Sequence, residues 1–117
     1  MAAFKFNLKI DQGATFVQPQ TWKTGTPALP VNLTGCTARM QVRATLESLA
    51  ALMTLTTENG GIALGGVDGT VTLTITAAAT TLLAWRAAVY DLEIIFADLT
   101  VRRLLAGAVT VSPEVTR

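Results

Sequence analysis

The chain has 117 residues, of which 50% are apolar and only 15% are charged, and its formal net charge is +1. This length predicts one domain, residues 1–117, whose core needs no disulfide or metal. The near-neutral charge offers no footprint for nucleic acid or anionic lipid, and no apolar run reaches the roughly 20 residues of a membrane helix. Because soluble proteins carry about 25% charged residues, we expect a partner to cover part of the apolar surface.

The chain opens with a predicted strand in which apolar and polar residues alternate at once. Its apolar side chains are Phe4, Phe6, Leu8 and Ile10. A secretory signal would have a basic start and a continuous apolar run, so we expect a protein that folds in the cytoplasm where it is made. Residues 14–17 predict a short second strand. Residues 19–30 contain three prolines and predict a long loop or an edge excursion.

The middle of the chain predicts short strands separated by turns. Residues 37–43, 52–56 and 62–64 have strand character, and Gly-rich or Asn-Gly turn signals follow the last two. Residues 44–51 contain good helix formers, but too few for more than one or two helical turns.

The clearest strand is a run of threonines that begins after an Asp-Gly turn at Asp68. Apolar residues and threonines alternate strictly from there to Thr76. Since successive side chains on a strand point to opposite faces, Val71, Leu73 and Ile75 are predicted to face the core. The threonines form a wet or partner-facing surface.

A brief helical crossover is predicted for residues 77–84, with Thr76 as its N-cap. Residues 89–96 return to a strand whose core face includes Tyr90. That tyrosine stands where immunoglobulin-like sandwiches often place a corner tyrosine.

The final predicted strand covers residues 100–111. Its alternation is disturbed at residues 102–105, which predicts a bulge. We expect Leu104 to lie on the face opposite Leu105 and beside Arg102, either exposed or covered by a partner. Arg102 and Leu104 are therefore candidate interface residues.

Seven or eight short strands without a sustained helical period are typical of an all-β fold, here an immunoglobulin-like antiparallel β-sandwich. The spacing of two predicts which side chains form its core. These are Phe4, Phe6, Leu8, Met40, Val42, Val71, Leu73, Ile75, Tyr90, Leu92, Ile94, Val109 and Val111.

Residue chemistry favours a protein without catalysis, cofactor or metal. The chain has no histidine, and its single cysteine, Cys36, is interpreted as a small buried apolar residue rather than a nucleophile. Asp91 and Glu93 project from one strand face, as a cation site or an acid–base pair would require. We favour ion pairs with arginines on neighbouring strands, and the candidates are Arg39, Arg43 and Arg102.

The two tryptophans, Trp22 and Trp85, are further candidate interface residues. They predict either core or interface packing, or a platform on which sugar rings stack. Exposed tryptophans would favour the sugar-binding alternative, and buried ones would favour a structural role.

Several phrases resemble small tail-associated proteins of bacteriophages and prophages. They include the opening FKFNLKIDQGATF, the stretch PVNLTGCTARMQVR from Pro30 to Arg43, LTTENGGI from Leu55 and the closing VTVSPEVTR. The arrangement is similar to the N-terminal immunoglobulin-like module of phage baseplate upper proteins, and the resemblance covers nearly the whole chain. It departs from them by lacking a downstream coiled coil or receptor-binding region.

The resemblance implies a virion structural protein, a connector or attachment module of the tail or baseplate, with a head or neck station as an alternative. It implies contacts with other virion proteins and a symmetric homo-oligomer in the particle, threefold or sixfold by analogy. Nucleic acid, a membrane and a small-molecule substrate are not expected as partners. The alternative from a different class is a host-surface module that binds a glycan or protein receptor.

Overall fold

The computed structural model describes residues 3–116, so the predicted bounds 1–117 extend past the described residues at both ends. Within these residues, eleven strand segments, one short helix and a 3-10 turn at Gly66–Asp68 form the regular structure. In chain order the elements are β1 (Phe4–Lys5), β2 (Leu8–Asp11), β3 (Phe16–Thr21), β4 (Lys23–Thr24), β5 (Leu29–Pro30), β6 (Thr37–Arg43), β7 (Met53–Thr56), β8 (Ile62–Leu64), β9 (Thr70–Ile75), α1 (Ala77–Thr81), β10 (Ala87–Ile95) and β11 (Val101–Ser112).

The strands form two main sheets. The front sheet has the order β1–β11–β10–β6–β7, and β2 also pairs with β11. The back sheet has the order β3–β9–β8, and β4 and β5 form a separate hairpin. All pairs are antiparallel except that β1 and β2 run parallel to β11.

This strand order is that of an immunoglobulin-like sandwich. In the back sheet, β3, β9 and β8 occupy the places of strands B, E and D. In the front sheet, β11, β10 and β6 occupy those of G, F and C, with β7 added beyond β6. The predicted immunoglobulin-like all-β fold is therefore confirmed, with the parallel N-terminal segments as the exception to the antiparallel prediction.

One core fills the space between the sheets. Of the predicted core residues, those that are buried are Leu8, Met40, Val42, Val71, Leu73, Ile75, Tyr90, Leu92, Ile94, Val109 and Val111. Phe6 is half-buried and Phe4 is 53% exposed, so the prediction was wrong at Phe4. Because β1 borders the wider front sheet, the three-stranded back sheet does not cover Phe4.

The predicted first strand is interrupted between β1 and β2. Both segments keep the same register on β11, with Phe4 opposite Leu105 and Leu8 opposite Val109. At the interruption the Asn7 side-chain oxygen Oδ1 accepts a 3.0 Å hydrogen bond from the Ala108 backbone N–H. A side chain thus takes over one bond of the ladder.

The second strand is longer than predicted. β3 runs through Pro19, which stands opposite Thr72 of β9. Proline has no N–H to donate, so it is tolerated on an edge strand. Among the described residues β3 pairs with β9 alone, which fits the edge excursion that the prolines predict.

Other predicted elements have close counterparts. The crossover forms α1, and the Thr76 side chain accepts a 3.2 Å bond from the Ala79 N–H as the predicted N-cap. Residues 44–51 form hydrogen-bonded turns and no helix. Within residues 3–116, no helix has the length and apolar character to cross a membrane.

Candidate interaction site

An apolar groove of about 340 Å³ opens on the flank of the sandwich, between β1 and β11 of the front sheet and the end of β3. Its apolar wall is formed by Phe4, Phe6, Trp22, Leu104 and Leu105. We call this feature the flank groove. It lies where the back sheet stops short of the front-sheet edge, so it follows from the unequal widths of the two sheets.

The polar rim of the flank groove is basic. Lys5, Gln20, Thr21 and Lys23 line it, and no acidic residue does. Lys5 and Lys23 are exposed and form no ion pair with any residue that the structure describes. The groove therefore combines apolar walls with two uncompensated positive charges.

Backbone contacts hold Trp22 at the floor of the flank groove. Its N–H donates to the Gly69 carbonyl at 2.8 Å, and its carbonyl accepts from Val31 N–H at 2.9 Å. Gly69 has φ of +68°, and a Cβ there would lie 2.7 Å from the Trp22 carbonyl oxygen, so glycine is required. The indole packs against Phe96 with ring centroids 6.0 Å apart.

Trp22 is only 5% exposed, and its indole Nε1 has no hydrogen-bond partner among the described residues. Burying such a donor without a partner costs free energy. The indole thus contributes an apolar floor rather than an exposed platform for sugar rings.

The predicted bulge is present, but its consequence for Leu104 was predicted wrongly. Leu92 pairs with Leu105 whereas Glu93 pairs with Arg103, so Leu104 is the extra residue of β11. A bulge opposes two residues to one and disturbs strict alternation. Leu104 is consequently 4% exposed and buried together with Leu105. An aspartate at this position would place a charge in the core instead of testing an exposed surface.

The remaining predicted interface residues are dispersed. Arg102 is exposed, in register with Ile94. Trp85 is half-buried and packs against the core cluster. The structure brings Trp22 and Leu104 together in the flank groove, while neither Arg102 nor Trp85 lines it.

A second surface feature, missed by the sequence prediction, is the loop of residues 44–52 between β6 and β7. Leu46 is 84% exposed and Leu49 is 98% exposed. The loop is ordered by internal hydrogen bonds: Arg43 Nη1 donates to the carbonyls of Ser48 at 3.1 Å and Leu49 at 2.7 Å. We call residues 44–52 the leucine loop. Exposed leucines in a fixed loop are a feature of contact surfaces.

The outer face of the front sheet is charged but self-compensated. Arg39 Nε lies 2.7 Å from Glu93 Oε1, and Arg103 Nε lies 3.4 Å from Asp91 Oδ2. The predicted cross-strand ion pairs are confirmed, with Arg103 in place of Arg102 because the bulge shifts the register. A depression of about 510 Å³ on this face is lined by the same paired groups.

The outer face of the back sheet carries no ionisable side chain among the described residues of its strands. Thr70, Thr72 and Thr74 face outward as predicted, opposite Thr21, Pro19 and Val17 of β3. We call this surface the threonine face. It is uncharged, and its inward-facing counterparts Val71, Leu73 and Ile75 are buried.

The chemistry of the remaining candidates is quiet. Burial, and secondarily the Asp98 carboxylate, raise the pKa of the Cys36 thiol, which keeps it protonated at neutral pH. Hydrogen bonds from Thr100 lower the pKa of the exposed Asp98 carboxyl. Among residues 3–116, no group of three or more His, Cys, Asp or Glu is placed to hold a metal ion.

Comparisons with known proteins add a single distant likeness in structure. No protein-family model matches the chain, and no curated protein matches it significantly. A solved structure of Drosophila OTK, extracellular domains 3–5, is 14% identical with a TM-score of 0.40. The match covers 90% of this chain and 32% of that structure. At this TM-score the fold assignment rests on the strand order, and the resemblance to phage proteins stays a prediction.

Proposed function

We propose that the chain is a non-enzymatic structural protein of a bacteriophage virion, a connector or attachment module of the tail or baseplate. One observation carries the proposal beyond the sequence resemblance: Leu46 and Leu49 stand almost fully exposed in an ordered loop. A protein that acts alone in water gains nothing from such a surface, whereas an assembly subunit buries it against its neighbours.

Two further surfaces support the same role. The flank groove offers apolar walls on one edge of the sandwich. The threonine face is flat and free of charge, as is common for surfaces that pack against another protein. Virion neighbours would also cover the unpaired edge of β3, which otherwise invites aggregation.

The receptor-binding alternative loses its main support. It depended on exposed tryptophans, and Trp22 is buried while Trp85 is half-buried against the core. A sugar platform needs an accessible ring face.

Mass spectrometry and immunogold microscopy of gradient-purified particles test the proposal. The particles are those produced by the phage or prophage whose genome carries this gene. We expect the chain at a fixed copy number, with label on the tail or baseplate. A non-structural protein encoded by the same genome is the matched control. Absence of the chain from purified particles would contradict the proposal.

A further inference from the structure

The leucine loop and the flank groove lie at opposite edges of the front sheet. The loop joins β6 to β7 at one edge, and β1 forms the other. Four strand spacings of about 4.8 Å separate these edges. They are also offset along the strands, because Arg43, where the loop begins, is level with Ala108 through Val89, whereas the groove surrounds Leu104 and Leu105. The loop therefore does not reach the groove of its own copy.

The two features are complementary in shape and polarity. The loop projects leucines, and the groove is a concavity with apolar walls. Its 340 Å³ suffices for leucine side chains, since a cavity of about 150 Å³ already accepts benzene.

They are also complementary in charge. The leucine loop contains one ionisable side chain, Glu47, which is exposed and forms no ion pair with the described residues. The flank groove carries Lys5 and Lys23 on its rim and no carboxylate. Opposite charges around an apolar centre fix the register of a contact and suppress wrong partners.

We propose that the leucine loop of one copy inserts into the flank groove of a second copy, with Glu47 facing the two lysines. Each copy then has one loop and one groove to offer, so the contact joins copies head to tail. Such heterologous contacts form rings when the rotation closes and filaments when it does not. The inference rests on the proposed function, since it names the partner of an assembly module.

Analytical ultracentrifugation of the purified full chain tests the contact. We expect wild-type protein to associate with increasing concentration, and Leu49→Asp or Phe4→Asp to weaken self-association at least about tenfold. Leu82→Asp is the matched control, because Leu82 is equally exposed but belongs to neither feature. Circular dichroism verifies that each variant is folded. A wild-type chain that stays monomeric up to millimolar concentration overturns the inference.

Mixing the variants distinguishes a head-to-tail contact from a symmetric one. Leu49→Asp retains an intact groove, and Phe4→Asp retains an intact loop. We expect the mixture to form a one-to-one dimer that grows no further, because one functional loop and one functional groove remain between them. Monomers only in the mixture, at concentrations where wild type associates, would overturn the head-to-tail arrangement.

Charge reversal tests the register. Glu47→Lys and Lys23→Glu should each weaken association by roughly two- to tenfold, and the double variant should recover most of the loss. Failure of the double variant to recover would overturn the pairing of Glu47 with this rim. These solution measurements are independent of the virion assay: a chain found in particles that never self-associates sinks only the head-to-tail contact.

Discussion

At the scale of single residues, Tyr90 shows how a side chain links segments that are distant in sequence. Its hydroxyl donates a 2.6 Å hydrogen bond to the Phe6 carbonyl at the break between β1 and β2. The predicted corner tyrosine would bond to backbone a few residues upstream, and in this respect the prediction was wrong. The bond instead secures the N-terminal edge that forms one wall of the flank groove.

Tyr90 also predicts a specific response to alkali. Burial raises its pKa to about 12, above the ordinary value near 10. A raised pKa means that the folded state holds the proton more tightly, so this stabilisation is complete below pH of about 10 and is lost progressively between about pH 10 and 12. The maximal loss is roughly 2–3 kcal/mol, from two pKa units at about 1.4 kcal/mol each.

The measurement is direct because Tyr90 is the only tyrosine of the chain. Tyrosinate absorbance of the native protein should titrate well above the midpoint of the urea-unfolded chain. Tyr90→Phe should cost about 1–2 kcal/mol at neutral pH, and its deficit relative to wild type should shrink as the pH passes 10. A deficit that stays constant to pH 11 would contradict the assignment.

At the scale of elements, the joint between β1, β2 and β11 depends on Gly107. A Cβ at Gly107 would lie 2.4 Å from the Phe6 carbonyl oxygen, and that atom is backbone. Gly107→Ala should therefore displace the N-terminal segments and destabilise the fold by about 1–3 kcal/mol.

Urea unfolding and hydrogen exchange measure that effect. The Phe6 N–H, which donates to the Ala106 carbonyl at 2.9 Å, should exchange faster in the variant. Ala108→Ser, at an exposed neighbouring position, is the control and should stay within about 0.5 kcal/mol of wild type. Equal stability of the two variants would refute the close approach at Gly107.

The comparison of elements also shows what the sequence can predict. The threonine strand, the α1 cap and the core face of β10 follow from local periodicity and capping, so they were predicted correctly. Leu104 was not, because a bulge changes which face later residues occupy, and its exact position depends on pairing with β10. The flank groove depends on the relative widths of two sheets, and the exposure of the leucine loop depends on tertiary packing. Neither quantity is encoded in a local pattern.

At the scale of the whole molecule, the interaction surfaces lie around one shared core. Leu73 is fully buried at its centre, paired with Gln18 and Ile62 on the neighbouring strands. Because both sheets contribute to this core, we expect cooperative unfolding in a single transition. Mutations at its centre should then change global stability without altering the surfaces.

Leu73→Ala tests this separation of stability from assembly. The variant should lose about 2–5 kcal/mol of unfolding free energy, since it removes buried methyl groups and leaves a cavity. That is a large share of the roughly 5–15 kcal/mol typical of a domain, so the melting temperature should fall markedly. Leu82→Ala, at an exposed leucine, should change stability by less than about 0.5 kcal/mol. At a temperature where Leu73→Ala is still folded, it should self-associate like wild type, because the leucine loop and the flank groove do not include Leu73. An unchanged melting temperature would contradict the shared core, and lost association in the folded variant would contradict the independence of the surfaces.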